Sequence, residues 1–224
     1  FGFTHGSIPA GSWQVVLHTH MVLPGDPVRY TVKVTFEREA LGTAPIYSSG
    51  IKPQRGAGWY RGNIHSHTFH SDGHWMAADL VAWARSEKLD FIALTDHNTI
   101  SGLPEMDSLS TPEMLTMGGL ELTTYFGHAV VLGARKWVEW RTESNSGTMP
   151  LIQRQVEADG HLFIIAHPKA PGGAICTGCA WEYLDMLPGT GKIVEIWNEE
   201  WESESNNEQA LALWYGWLND GWHL

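Results

Sequence analysis

An α/β fold on a mainly parallel sheet, open or closed into a barrel, is what this sequence predicts. Two patterns carry the prediction. From residue 59 onward, short apolar strand-like runs alternate with helical stretches, the order that builds parallel strands joined by crossovers. In addition, five separate runs end or begin in His, Asp or Glu, and in such folds the carboxyl ends of strands share one face where active sites form.

The elements follow in chain order. Residues 1–55 read as a β-rich segment, part of a β-sandwich-like module. Trp13 to His20 and Tyr30 to Phe36 alternate at period two, with Pro24-Gly25-Asp26-Pro27 as the turn between them. His18 and His20 stand two apart, but nothing downstream in this module offers partner ligands, so they are read as alternating strand residues. Ile51 to Gly58 is the expected linker, and 56–224 the second domain. There, strands are expected at 62–67, 91–95, 117–123, 129–133, 162–166 and 192–197. Helices are expected near 76–88, 150–159, 181–187 and 207–219, the last stopped by Asp220-Gly221.

Composition narrows the function. The net charge is −11, which disfavours gripping duplex nucleic acid but leaves room for a phosphorylated substrate, because bound cations would reverse the local field. The apolar runs are too short for a membrane span, and no signal peptide is visible. The chain opens on Phe1 rather than Met, so it is expected to be processed or excised from something longer. A secreted or periplasmic home fits the β-rich leader, with the cytoplasm as the other reading; the oligomeric state stays open. The 12 Trp read as core or interface filler or as the lining of a substrate cleft. Cys176-Thr177-Gly178-Cys179 is one pair where a structural zinc site uses two, so a local disulfide, a redox pair and a loop staple all fit, and a structural loop feature is favoured.

The chemistry-bearing residues sit at the ends of the apolar runs. His65 and His67 are two apart in a strand-like stretch, so their side chains leave the same face. Asp72 follows in a Ser-Asp-Gly turn. Thr95-Asp96-His97-Asn98 ends a buried strand, Glu121 lies inside Leu120-Glu121-Leu122, His128 opens the next run and His167 closes another before Pro168. Charges in apolar strands are costly unless paired or metal-bound, and neutral imidazole is the commonest metal ligand. A shared metal site therefore accounts for all of them together.

In order and spacing, His65-Ser66-His67 with Asp72, Asp96-His97, Gly119-Leu120-Glu121, Gly127-His128 and Ala166-His167-Pro168 resemble the PHP (polymerase and histidinol phosphatase) superfamily over nearly all of residues 59–224. The β-rich leader, Cys176 to Trp181 and Glu195-Ile196-Trp197-Asn198 resemble its carbaryl-hydrolase-like branch. The resemblance implies a distorted (β/α)7 barrel with up to three divalent metals. By position, His65, His67 and Glu121 would hold one; Glu121 would bridge to a second completed by His128 and His167; Asp72 and His97 would hold a third. Zn²⁺, Mn²⁺ and Fe²⁺ all suit this donor set. The family's final Asp-x-His has no counterpart before Leu224, and His223 is read as incidental. The barrel is thus expected to be incomplete at its C-terminus, lacking its last strand, with an exposed edge and only the second site fully provided.

These expectations define a metal-dependent hydrolase acting on a small-molecule phosphoester or ester, with a metal-bridged hydroxide as nucleophile. Carboxylester or carbamate hydrolysis on the same centre is the first alternative, an inactive metal-binding fragment the second. No Gly-x-Ser-x-Gly is present for a serine hydrolase. Asp96 would orient a ligand or shuttle a proton, or else cap the next turn. Asn198 would touch substrate, and Glu195 would stand behind a ligand or in a buried pair. Arg135 would meet a phosphate or form a surface ion pair. His70 and His74 are read as loop residues.

Overall fold

In a computed structural model of the chain, the described residues are 8–17, 25, 27–35, 50–173, 176–186 and 193–222. His18, His20 and His223 lie outside them. Two compact units divide the chain, one spanning Thr4–Ile46 and the other containing Tyr47–Leu224. In the first, the described residues 8–17 and 27–35 carry no strand and are exposed throughout, Trp13 and Tyr30 included. The alternation expected to build a sheet there has no paired neighbour among the described residues, and its described apolar positions are not buried.

The second unit is α/β. Strands β1 (Gly62–Asn63), β2 (Phe91–Ala93) and β3 (Leu115–Met117) pair in parallel in that order. Strands β4 (Gly119–Thr123), β5 (His128–Leu132) and β6 (Leu162–Ile165) form a second, antiparallel sheet. Only Gly118 separates β3 from β4, so one length of chain serves both sheets. The chain after β2 continues alongside it: Leu94 N–H donates to Met117 O, and His97 pairs with Glu121 in a parallel bridge.

The antiparallel half corrects the expectation of a mainly parallel sheet. The reason lies in the connection from β4 to β5. Only residues 124–127 join them, and a parallel pair needs a crossover of a dozen residues or so. The ladders among the described residues thus form two three-stranded sheets.

Helices α1 (Ala77–Ser86), α2 (Leu103–Leu109), α3 (Thr148–Ala158) and α4 (Asn207–Asn219) complete the unit. Helix α2 is an addition to those expected from the sequence. Its signal is short: Pro104 in the first turn, where a missing N–H costs nothing, and Leu103 and Met106 three apart, both buried. The helix expected at 181–187 is instead extended chain ending in a 3-10 turn at Leu184–Met186. Trp181 and Tyr183 are buried while Glu182 and Leu184 face outward, a period of two that no helix satisfies. The Tyr183 hydroxyl is tied to Thr124 and Thr142 in the core. That core joins α1 (Leu80, Val81, Ala84), α2, and the inward residues of both sheets, including Ile92, Leu120, Leu122, Val131 and Ile165. Each such side chain contributes roughly 1.5–3 kcal/mol by leaving water. No helix among the described residues is long and apolar enough to cross a membrane.

Candidate metal centre

The antiparallel direction of β5 is what gathers the candidate ligands. His128 begins β5 and lies opposite Thr123, the last residue of β4; Ala129 lies opposite Ile165, the last of β6. The amino end of β5 therefore shares a sheet edge with the carboxyl ends of β4 and β6, where His167 follows. In the parallel half, the chain after β1 is clipped to the chain after β2. Ser66 N–H donates to Thr95 Oγ1 and the Ser66 hydroxyl to Ala93 O. With Ser66 facing β2, the flanking His65 and His67 are both turned toward Glu121.

Glu121 is the hub, its side chain only 1% exposed. Its Oε1 lies 3.0 Å from His128 Nδ1 and 3.1 Å from His167 Nε2. Its Oε2 lies 3.2 Å from His65 Nε2, 3.3 Å from His67 Nε2 and 3.0 Å from His97 Nδ1. Despite that company, Oε2 is buried without a hydrogen bond. The outer nitrogens of the histidines are spoken for. His65 Nδ1 donates to Glu195 at 3.1 Å, His128 Nε2 to Thr177 O at 3.3 Å, and His167 Nδ1 to Cys179 O at 3.3 Å. His97 Nδ1 donates to Thr123 Oγ1 at 2.5 Å, whose own proton goes to Glu121 O, and this leaves Nε2 toward Asp72 Oδ2 at 3.3 Å.

This arrangement tests whether a metal fits. A neutral imidazole has one N–H. Where it is given to the outer partner, the inner nitrogen presents a lone pair to a carboxylate oxygen, and two lone pairs repel. A cation between them turns the same geometry into coordination. Ligands at about 2.0–2.2 Å from one tetrahedral ion lie roughly 3.3–3.5 Å apart, close to the spacings seen here. The orphaned Oε2, ringed by three imidazoles, fits a metal. Donor atoms converge within 4.8 Å of one another in His65–His67–Glu121, His97–Glu121–His128, His67–Asp72–His97, His65–His167–Glu195 and His128–His167–Cys179.

The electrostatics follow from the same contacts. Burial alone would raise the Glu121 carboxyl, but His65, His128 and His167 hold it well below the usual range. His65 and His67 face the same oxygen yet move apart. For His67 burial wins and lowers it to about 4. For His65 burial is outweighed by Glu121 and then Glu195, which together raise it to about 10. His65 gains hydrogen bonds to Glu121 and then Glu195, whereas His67 is opposed by the neighbouring His97 and His65. Asp72 is lowered chiefly by its hydrogen bond with His97, although its side chain is 68% exposed.

All seven residues expected to bind metal meet at this place. Of the two expected to act in catalysis, Asn198 lines the cleft, and its Oδ1 accepts from Ser205. Asp96 does not line it. Its oxygens accept from Thr68 N–H at 2.6 Å, Thr68 Oγ1 at 2.7 Å and Ser71 Oγ at 2.8 Å, so it braces the loop that carries Asp72. His70 pairs with Ser101 and Glu105 away from the centre, and Arg135 is held by Asp107 at 3.0 Å. Glu195 bonds the His65 ring and accepts from His167 N–H at 3.0 Å. The Cys176–Cys179 loop contributes in a way its spacing does not signal. It forms a disulfide, and its carbonyls take the outer protons of His128 and His167. His167 itself has φ +27°, an unusual conformation for a side chain of its size and one that marks functional sites. The cleft above the centre encloses about 450 Å³. Its described lining includes Glu199 and Glu204 and no Lys or Arg.

Neither a family model nor a curated protein matches the chain. Among solved structures, it is similar to a two-domain protein from Bacteroides vulgatus containing a predicted PHP-like metal-dependent phosphoesterase, with 21% identity over 61% of this chain and a TM-score of 0.40. The match spans 44% of that protein's length. It is also similar to a protein from Bifidobacterium adolescentis to which metal-dependent phosphoesterase activity is assigned by inference, with 15% identity, a TM-score of 0.46, and 70% and 84% of the two chains covered.

Proposed function

We propose that the second unit is a metal-dependent hydrolase that cleaves phosphoester bonds of a small molecule. One observation carries the reading: a fully buried carboxylate, Glu121, offers both oxygens to five imidazoles, with one oxygen left without a hydrogen bond. His65 and His67 would hold a divalent cation with Oε2, His128 and His167 a second with Oε1, and Asp72 with His97 a third. Such ions supply water activation near neutral pH and neutralise charge developing on the attacked group. The chain's own residues do the rest. Glu195, Thr177 O and Cys179 O fix which nitrogen of each histidine faces inward. Asn198, at the cleft wall, would orient the substrate.

The cleft lining favours a second reading, carboxylester or carbamate hydrolysis on the same centre. Among the described residues it has no cationic side chain, and Glu199 and Glu204 would repel a dianionic phosphate monoester. A neutral ester or a phosphodiester meets less opposition there. The test is elemental analysis of the purified chain beside a His128→Ala/His167→Ala variant, then turnover of a nitrophenyl phosphate, a phosphodiester and a naphthyl ester. One to three bound metals, lost in the variant, support the centre, and the fastest substrate decides between the readings. No metal retained after loading with Zn²⁺ or Mn²⁺ overturns both.

A further inference from the structure

The loop closing over His128 and His167 does more than accept their protons. Cys179 is buried, and its sulfur lies within 4.8 Å of a nitrogen of each histidine. Its position is fixed by several contacts besides the disulfide. Cys179 N–H donates to Cys176 O at 3.3 Å, His167 Nδ1 donates to Cys179 O, and Trp181 N–H donates to Pro168 O at 3.2 Å. Gly178, at φ +80°, lies so close to the end of β4 that a Cβ there would collide with Thr124 O. Opening the disulfide would therefore leave the Cys179 sulfur beside the histidines.

Resting on the proposed metal centre, we propose that Cys179 is a redox-controlled ligand: reduction of the Cys176–Cys179 disulfide lets its thiolate join a divalent cation held by His128 and His167. A disulfide sulfur is a poor donor and a thiolate a strong one for zinc-like ions. In the disulfide form His128, His167 and Glu121 would supply three protein ligands, the number typical of catalytic sites. In the reduced form Cys179 would supply a fourth, as in structural sites. Oxidation would thus open the centre and reduction close it.

The reductant is a dithiol. One of its thiolates attacks the Cys176 sulfur, which belongs to the less buried residue of the two, and the S–S bond breaks with Cys179 leaving as thiolate. The second thiol of the reductant then displaces Cys176 and closes the reductant's own disulfide. Two electrons pass to the protein. Of the two protons from the dithiol, one ends on Cys176 and the other goes to solvent, because Cys179 binds the cation unprotonated.

The test uses Co²⁺, whose d–d bands report binding and whose thiolate charge-transfer band in the near ultraviolet reports sulfur coordination. Cys176→Ser, in which Cys179 is permanently free, should show both bands without reductant. The unaltered chain should show the charge-transfer band only after dithiol reduction and anaerobic desalting, and should lose it on reoxidation. Cys179→Ser should keep the d–d bands and lack the other under both conditions. Cobalt bound in Cys176→Ser without charge transfer overturns the proposal while the metal centre stands. No cobalt spectrum in any of the three chains overturns both.

Discussion

The two sheets deliver their candidate ligands by different means. In the antiparallel half, Glu121 lies inside a ladder, His128 at a ladder end and His167 two residues beyond β6, with side chains 1%, 4% and 9% exposed. In the parallel half, His67, Asp72 and His97 lie in loops beyond very short strands, and their side chains are 22%, 68% and 27% exposed in that order. Backbone ladders hold Glu121 and His128 and the Glu195 carboxylate clips the His167 N–H, while side-chain clips such as Thr68–Asp96 and Ser66–Thr95 hold the second set. Ladder-held donors are preorganised, whereas loop-held donors cost more order to bring into place. The antiparallel half should thus bind its cation more tightly.

The largest change should come from Glu121→Ala, which removes the group both halves share. Metal affinity should fall by more than the roughly 100-fold ceiling typical of losing an outer partner, leaving no metal after dialysis and no measurable turnover. Next, His128→Ala/His167→Ala and Asp72→Ala/His97→Ala set the halves against each other. After dialysis against a weak chelator, the first pair should retain no more than the loop-held metal, and the second should keep at least one tightly held ion. Equal losses would erase the difference between the halves. Glu195→Gln reaches across them, because it touches His65 and the His167 backbone; metal affinity should fall about 10–100-fold, with turnover restored by added metal. Smaller still is a proton count. His65, raised to about 10 when no metal is present, is protonated at pH 8 and must lose that proton to coordinate, whereas His67, lowered to about 4, is already neutral. Metal binding at pH 8 should release about one proton more in the unaltered chain than in His65→Asn, read by calorimetry in buffers of different ionisation enthalpy. Least of all, Arg135→Ala should change stability by no more than about 1 kcal/mol and leave metal content unchanged, since its partner Asp107 lies away from the cleft.

The strand-end histidines and carboxylates were legible because a charge or imidazole closing an apolar run is costly to bury unless it is paired or metal-bound, and several at one sheet edge share a single remedy. The direction of β5 was not, since alternation and length look alike in either sense; only the four-residue link from β4 decides it. The extended course of 181–183 was hidden by a composition that also suits a helix, and its buried Trp181 and Tyr183 are accounted for by the core they enter. Asp96 reads as a candidate for catalysis because it adjoins His97, yet adjacent strand residues face opposite ways, and its carboxylate turns to Thr68 and Ser71. Glu195 sits 130 residues from His65, a separation at which no local pattern signals a pairing.

That long-range pairing reaches beyond chemistry. A centre whose parts run from His65 to Glu195 exists only when nearly the whole unit is folded, so a cation held there favours the native state. By mass action, free metal at 100 times its dissociation constant adds about 2.7 kcal/mol to stability, and the thermal midpoint must rise with metal concentration. In a cell, the lifetime of this protein against proteolysis would then follow the supply of its metal, and scarcity would be felt first as lost protein rather than as slowed turnover.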